Sequence, residues 1–462
     1  MDYDVFIVGA GPAGYAGALR AARAGLKVAV AEKKRAGGTC LNSGCIPSKA
    51  LRQCADTLMT VKDSSRFGVK AGGEIGFDFS KAALHRDETV ESLVTGVDSL
   101  LKGSKVTIHE GEARITGPGK VEVSGKEGVS HISAENIIIA TGSAPSDLPG
   151  IKIDQEKIMS ADKALLLKEL PESMTIIGGG VFGCEFADLM NSFGVRVTII
   201  EIMDRILLTE DKSTARLIHK ALTGRGVEIH TGTKTEGVDL QEECVVCRLQ
   251  EGKSIESSLM VVSVGRKPAL SGLGLEEAGV EIEKNAVKTD GKGRTGVPGI
   301  WAAGDAIGAP MLAHTAVHEM EVVVDNILGK SREFDRSAVP WVTFVRPEVA
   351  TVGMLEDTAR SQKIPIEVGR FSYAASGKAR CMGETEGSAK ILCRKEDNVI
   401  LGATVIGARA GELMHEIAVA LKAGMKAEEF REIIHAHPTL SEIMQETAAD
   451  VNGMAVHKIS KR

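Results

Sequence analysis

The sequence is poor in aromatic side chains: Phe, Trp and Tyr make up 3 % of its 462 residues. Rings of this kind build the stacking platforms that hold single-stranded nucleic acid, so their scarcity argues against that function. There is no long basic run, and the formal net charge is -6, which also speaks against a nucleic-acid partner. Long apolar runs are lacking as well. Ile137–Ala140 and Val322–Val324 fall far short of the roughly 20 residues that a membrane-spanning helix needs. No basic segment followed by an apolar one precedes the strand-like Asp4-Val5-Phe6-Ile7-Val8. No secretory signal is therefore read, and a reducing, cytoplasmic setting is expected. In such a setting the eight cysteines are not a disulfide framework, and a close pair among them points to catalysis or metal binding.

What is present is an ordinary globular balance, 43 % hydrophobic and 26 % charged residues, in a chain long enough for about three or four domains. The 52 glycines matter because they gather at particular turns. One strand-turn-helix-strand pattern occurs twice. Its first copy is Tyr3–Val8, Gly9–Gly14, a helical stretch Tyr15–Ala24 ending at Gly25, and Leu26–Glu32. Its second is Met174–Ile177, Gly178–Gly183, Cys184–Phe193 ending at Gly194, and Val195–Glu201. Each copy ends in a carboxylate, 23 residues after its first glycine.

The physical reading of each copy is the same. Gly9 and Gly178 permit the tight turn, Gly11 and Gly180 let a pyrophosphate reach the backbone, and Gly14 and Gly183 allow close helix packing. The helix N-terminus attracts the phosphate, and Glu32 or Glu201 accepts hydrogen bonds from a ribose. Two such units imply two dinucleotides, and a flavin with a nicotinamide is the economical pair because hydride passes between them. Glu201 favours NAD over NADP: at 4 Å and an effective dielectric near 20, each unit of charge on a 2′-phosphate adds about 4 kcal/mol of repulsion. Arg205, alone among Ile202–Leu207 in being basic, is read as a solvated surface residue.

The fold class expected is α/β, with two Rossmann-type dinucleotide-binding domains and a C-terminal α+β domain. The boundaries are 1–147 and 148–268 for the two nucleotide domains, 269–338 for a central domain completing the first site, and 339–462 for the last domain. Short strands are expected at Val121–Val123 and His131–Ile132, then at Ile137–Ala140, Leu259–Val264 and from Ile300. Beyond Val339 come strands Val349–Val352, Ala389–Cys393 and Val399–Ile406 and amphipathic helices Glu412–Leu421 and Ser441–Asn452.

Cys40-Leu41-Asn42-Ser43-Gly44-Cys45 is the most telling stretch. A tight bend or distorted helical turn at Gly44 would bring the two thiols together. Pro47 suits a first helical turn, so Cys45 is expected near a helix N-terminus, whose positive end stabilises a thiolate. Two unconnected buried cysteines, or half of a zinc site, are the other readings of the same residues; no His or Cys pair with ligand spacing lies nearby to complete a site, so no metal is expected. Cys244 and Cys247 are read as structural, and Cys54, Cys184, Cys381 and Cys393 as packing residues. Near the C-terminus, His435-Ala436-His437-Pro438-Thr439-Leu440-Ser441-Glu442 allows either a histidine oriented by a carboxylate for acid-base work or a buried histidine satisfied by a helix-start residue.

Taken in order along the chain, several stretches resemble the pyridine nucleotide-disulfide oxidoreductases, most closely the members that oxidise dihydrolipoamide. They are Gly37–Lys49, Ala140–Ser143, Val264–Pro268, Ala303–Asp305 and His435–Glu442. The resemblance implies FAD and NAD as cofactors. It implies that Cys40 meets the substrate and Cys45 lies beside the flavin, with Lys49 near flavin N5 and Glu185 as its carboxylate partner. Ala113, Thr141, Gly142, Asp305 and Ala313 become flavin-site positions and Gly265 a cofactor position. His437 becomes the acid-base residue and Glu442 its orienting carboxylate. It further implies a homodimer with active sites shared between chains, and a partner that is a lipoyl-bearing protein of a 2-oxo acid dehydrogenase or glycine cleavage system. Thr315 and Arg346 depart from the family pattern, which often has lysine and an acidic residue there. Another disulfide reductase of the family using NAD(P)H, or a non-catalytic flavoprotein scaffold, are the competing readings. The cysteine-free tail from Ala455 and the carboxylate at Glu201 speak against the former, and the retained cysteines and His437–Glu442 against the latter.

Overall fold

The computed structural model describes residues 1–70, 72–73 and 75–459, so the last three residues of the tail lie outside it. The chain forms two compact units, Met1–Leu170 with Val264–Phe334, and Pro171–Ser263 with Asp335–Arg462.

In the first unit, five parallel strands run in the order Thr107–Glu110, Val28–Glu32, Tyr3–Val8, the far half of Gly128–Ile139, and Ile300–Ala302. The inner strands, buried on both faces, read as near-continuous apolar runs such as Ile137, Ile138 and Ile139, all fully buried, whereas the edge strand Thr107–Glu110 is polar and partly exposed. The first strand has the second on one side and Gly128–Ile139 on the other, so strand order reverses at its carboxyl end, which is where Gly9 begins the first glycine turn. His131–Ile132 is not a separate strand: Gly128–Ile139 is a single strand whose near half pairs antiparallel with Lys120–Gly125. Helix Pro12–Arg23 packs against Ala313–Ile327, where Met320 faces Gly17 so closely that any side chain at Gly17 would collide with it. Helices Cys45–Lys62 and Phe79–Gly103 form the rest of this layer.

The second unit opens with four parallel strands in the order Glu228–His230, Arg196–Ile200, Ser173–Ile177 and Leu259–Val262. Beside them lies a three-stranded antiparallel meander, Thr235–Leu240, Val245–Leu249 and Ser254–Ser257. Its remainder is a five-stranded antiparallel sheet in the order Pro340–Thr343, Val349–Gly353, Ile400–Ile406, Ser388–Arg394, Ile366–Ser372. Helices Ala410–Lys422 and Glu442–Val451 cover that sheet through Leu413, Met414, Ile417, Ile443 and Met444. Gly369 makes the closest approach: a Cβ there would lie 2.0 Å from the Thr447 carbonyl oxygen, so the last helix sits directly on the edge strand. This contact fixes the helix whose first residue is Glu442.

Candidate active site

The two glycine turns have nearly the same backbone. Gly9 has φ +102° and Gly178 has φ +109°, a region that L side chains avoid. Gly11 and Gly180 are the helix N-caps, at φ -70°, ψ -171° and φ -71°, ψ -171°, and neither helix start has a side-chain cap. A Cβ at Gly14 would lie 1.8 Å from the Gly9 carbonyl oxygen, and one at Gly183 would lie 2.0 Å from that of Gly178, which explains the third glycine in each case. The acidic strand ends also correspond. Glu32 accepts the N–H groups of Ala10 (2.9 Å) and Lys34 (2.8 Å), and Glu201 those of Gly179 (2.6 Å) and Met203 (2.8 Å). Each carboxylate oxygen keeps a second lone pair with which to accept from a ribose hydroxyl. Arg205 corrects the sequence reading. Its side chain is only 28 % exposed, its buried Nε has no partner among the described residues, and Ile206 and Leu207 beside it are in the core.

Cys40 lies in the short helix Gly38–Ser43 and Cys45 is the first residue of the helix Cys45–Lys62, with Pro47 in its first turn. Gly44 makes the break between the two helices, at φ -134°, ψ -105°. A Cβ at Gly44 would stand 3.0 Å from the Thr39 carbonyl oxygen and 3.5 Å from Cys40 Cα, so a side chain there would crowd the backbone beside Cys40. Both cysteines are thiols, Cys45 exposed and Cys40 half-buried. The Cys40 thiol is pushed well above the ordinary thiol range, first by its hydrogen bond with the Cys45 sulfur, then by burial and by charge on Cys45, with Lys49 pulling the other way. Cys40 therefore holds its proton, and the uncapped start of the second helix favours Cys45 as the place for a thiolate of the pair. Lys49 follows one turn later on the same helix, half-buried.

Around this pair the first unit offers the features a flavin dinucleotide would use. The buried hydroxyl of Thr141 and the Oδ1 of Asn42 have no hydrogen-bond partner, so a bound group with donors and acceptors would satisfy them. The Gly38 backbone comes close to Gly11: a Cβ on Gly38 would lie 2.7 Å from Gly11 Cα, leaving room there for backbone alone. Asp305 accepts from Ser143 Oγ (2.5 Å), which in turn receives Arg266 Nε (2.8 Å), while Arg266 is held by Asp162 (2.6 Å). Ala313 is the first residue of an uncapped helix. Ala113 pairs with Val123 in the antiparallel extension, and Gly142 and Gly265 turn at φ +71° and +106°. The residues present fit the cofactor. Ser143, Arg266 and Asn42 were not singled out from sequence, although Ser143 and Arg266 lie within the motifs quoted and Asn42 between the two cysteines.

The second unit holds Gly178, Gly180, Gly183, Glu185, Glu201, His437 and Glu442. Glu185 is buried and accepts the Phe344 N–H (2.8 Å). Asp188, one turn on and fully buried, accepts the Arg346 N–H (3.0 Å) and an Arg225 N–H (2.6 Å). His437 Nδ1 meets Glu442 Oε1 at 2.9 Å, and Glu442 Oε2 accepts the Thr439 N–H (2.8 Å). Burial raises the Glu442 carboxyl, but these two hydrogen bonds and the His437 charge outweigh it and hold it below the usual carboxylate range. The ring itself is exposed, 79 % of its side chain. Of the two readings left open by the sequence, an oriented and accessible histidine is the one His437 fits; the buried, satisfied histidine of the motif is His435, whose side chain is 7 % exposed.

Paired thiols at a helix start, two dinucleotide turns and a carboxylate-held histidine define a disulfide oxidoreductase that works through nucleotide cofactors. The chain belongs to the pyridine nucleotide-disulphide oxidoreductase family, whose model matches residues 3–319, and residues 339–448 match that family's dimerisation domain. Within it, the chain is 39 % identical to the dihydrolipoyl dehydrogenase of Geobacillus stearothermophilus, over all of this chain and 98 % of that one. It is 38 % identical to one from Bacillus subtilis, over 99 % of this chain and 98 % of the relative. Among solved structures, LpdA from Mycobacterium tuberculosis superposes with a TM-score of 0.90 at 26 % identity, covering 96 % of this chain and 98 % of that one. The Cu(II) complex of the HOCl-induced flavoprotein disulfide reductase RclA from Escherichia coli gives 0.89 at 29 % identity, covering 97 % and 99 %. No described helix is long and apolar enough to cross a membrane.

Proposed function

We propose that this protein is a dihydrolipoyl dehydrogenase: it oxidises protein-bound dihydrolipoamide to lipoamide and delivers the electron pair to NAD⁺, with FAD as its resident cofactor. The observation that carries the reading is the Cys40–Cys45 pair, two thiols in hydrogen-bonding reach with the second at an uncapped helix start. The likeness to dihydrolipoyl dehydrogenases over the full chain supports the choice of substrate.

In this reading the oxidised enzyme carries a Cys40–Cys45 disulfide. His437, its ring held through Nδ1 by Glu442, takes a proton at Nε2 from one thiol of the substrate. The resulting thiolate attacks Cys40 Sγ, forming a mixed disulfide, and Cys45 leaves as a thiolate stabilised by the start of its helix. The second substrate sulfur displaces Cys40 and closes the lipoamide ring, its proton passing to the departing Cys40 sulfur, so the electron pair now resides in the Cys40 thiol and Cys45 thiolate while His437 keeps the first proton. Lys49, one turn beyond Cys45, adds positive charge to the same side of the helix, and Glu185 is its proposed carboxylate partner. Thr141, Gly142, Ala113, Asp305 and Ala313 would hold the flavin, and Gly178–Gly183 with Glu201 and Gly265 the NAD. When bound, FAD supplies a two-electron relay between the dithiol and NAD⁺.

The reading extends to a homodimer in which the histidine of one chain serves the cysteines of the other, to a lipoyl-bearing protein of a 2-oxo acid dehydrogenase or glycine cleavage system as substrate, and to a cytoplasmic location. The deciding experiment is turnover of the purified holoenzyme with dihydrolipoamide and NAD⁺. NADH formation is expected. No turnover with dihydrolipoamide, together with NADPH-driven reduction of another disulfide, would replace this reading with a different reductase of the family.

A further inference from the structure

His437 projects from the segment that joins helix Ala427–Glu432 to helix Glu442–Val451, and among the described residues its side chain is tied to Glu442. An exposed residue on a loop needs its supports elsewhere, and here they converge on one side chain. Glu416, on helix Ala410–Lys422, meets His435 Nε2 with Oε2 at 3.3 Å and accepts from Ser441 Oγ with Oε1 at 2.5 Å. Residues 435 and 441 flank His437, so one carboxylate clamps both ends of the loop that presents it.

Two further details show that the clamp is built in. Ser441 occupies the N-cap of the last helix with a helical backbone (φ -59°, ψ -28°) and makes no cap bond; its hydroxyl donates to Glu416 instead. The His435 ring packs against Phe430 at a centroid separation of 5.7 Å, tilted by 54°, and its Nδ1 meets the Ile433 carbonyl oxygen at 2.8 Å. Gln445 Nε2 donates to that same carbonyl (3.0 Å) and to Arg431 (2.9 Å), a second tie at the far end only.

We propose that Glu416 is a positioning residue for the reaction: through Ser441 it sets the first turn of the last helix, hence Glu442, and through Glu442 the orientation of the His437 ring. The inference rests on the functional reading above, in which His437 takes the substrate proton. The charged and titratable groups around this loop include His415 and Glu416 on one helix, Arg431 and Glu432 at the end of the helix before the loop, His435 and His437 on the loop, Glu442 and Glu446 on the last helix, and His457, which Glu446 holds at 2.9 Å. Among the described residues Glu416 touches both loop ends, so its loss moves the His437–Glu442 contact while Gln445 keeps the chain in place.

The test compares wild type with Glu416→Ala, Glu416→Gln and Ser441→Ala, all as holoenzymes. A displacement of about 1 Å in a reacting group costs up to roughly 100-fold. Glu416→Ala should therefore lose roughly 10- to 100-fold in kcat with dihydrolipoamide, with KM changed by less than about twofold, on the same scale. The acid limb of its pH profile, where the base becomes protonated, should move to lower pH, since weakening the carboxylate contact disfavours the imidazolium. Glu416→Gln, whose amide oxygen still accepts from Ser441, should retain more activity. NADH oxidation by an artificial acceptor, which bypasses His437, should be unchanged in all three. Wild-type kcat and pH profile in Glu416→Ala would overturn the proposal. If that variant fails to fold, the same readouts in Glu416→Gln and Ser441→Ala decide. A wild-type protein that does not oxidise dihydrolipoamide overturns the functional reading first, and the two failures are thereby told apart.

Discussion

Glu201 accepts the backbone N–H of Gly179 at 2.6 Å, inside the second glycine turn, and is buried to 8 % exposure. Its other oxygen is held by the Met203 N–H at 2.8 Å, so the carboxylate has nowhere to swing when a 2′-phosphate approaches. Arg205, the basic residue of Ile202–Leu207, lies against Asp204 at 3.4 Å. We expect NAD⁺ to be preferred to NADP⁺ by at least about two orders of magnitude in kcat/KM, since each factor of ten is about 1.4 kcal/mol. Glu201→Gln, which keeps the shape and removes the charge, should narrow that ratio by about tenfold or more. Comparable specificity constants for the two nucleotides in the wild type would refute the role given to Glu201.

Gly44 holds the thiols together by being small. A side chain at this position would meet the Thr39 carbonyl oxygen at 3.0 Å, which is backbone and cannot step aside without moving Cys40. Gly44→Val should therefore slow dithiol oxidation by roughly tenfold to a hundredfold, the cost of misplacing a reacting group. NADH oxidation by an artificial acceptor should stay at the wild-type rate. Equal loss of both activities would mean that the substitution disturbs the flavin site rather than the thiol pair.

Two buried carboxyl groups in the second unit respond to pH in opposite directions. Burial drives Glu210 up from 4.5 to about 7, with Asp211 adding to the rise, while the Thr351 hydroxyl and Lys390 oppose it. A carboxyl whose pKa rises on folding lends stability that is complete below about 4.5 and is lost as pH rises through about 7. Glu210→Gln, a neutral isostere that still accepts from Thr351, should gain in Tm relative to wild type between pH 5 and pH 8 by up to a few kcal/mol equivalent, at about 1.4 kcal/mol per pKa unit. Glu356 is the reverse case. Burial raises it, but Arg360, Arg370 and Lys390 overcome that and hold it at about 2. Its contribution is present above the ordinary value of 4.5 and falls away towards about 2, so Glu356→Gln should cost stability at pH 7 and progressively less below pH 4. Thermal melts across pH that shift both variants by a constant amount would contradict these assignments.

The parts of this molecule legible in sequence are those specified over short range. The Tyr3–Val8 strand, the glycine turns and the helix start at Cys45 follow from residue type and spacing alone. In both repeats the helix begins three residues before the stretch that the sequence pattern suggests, because Pro12 and Val181 enter the helix directly after the N-cap glycine. The helix Phe79–Gly103 is not legible in the pattern. Its buried stripe of Ala82, Val90, Val94 and Val97 is blurred by exposed Leu84, Leu93 and Leu100 and by Arg86, which is 1 % exposed. Arg86 is tolerated there because it donates to the Leu165 and Leu167 carbonyls, about eighty residues away in sequence, and no local pattern announces such partners. The same holds for Glu416, whose contacts are 19 and 25 residues distant. His437 and Glu442, by contrast, are five apart, and their pairing could be read from the motif.

A last expectation concerns the sharing of active sites. The cysteines lie in the first compact unit and His437 in the second, in the part of the chain that matches the family's dimerisation domain. A two-fold interface is self-complementary, so a contact made from one chain to the other is made again in return, and each dimer holds two equivalent sites. If each site takes cysteines from one chain and the histidine from the other, two dead variants should rescue each other. Neither Cys45→Ser nor His437→Gln should turn over dihydrolipoamide at a useful rate. In a heterodimer of the two, one site combines the damaged cysteine pair with the damaged histidine, and the other is intact. Random exchange makes about half of the dimers mixed, so roughly a quarter of wild-type activity should return if sites act independently. Exchange has to be verified separately, by isolating the mixed dimer through a tag on one variant. A verified heterodimer without activity would mean that His437 serves cysteines of its own chain or is not the acid-base residue.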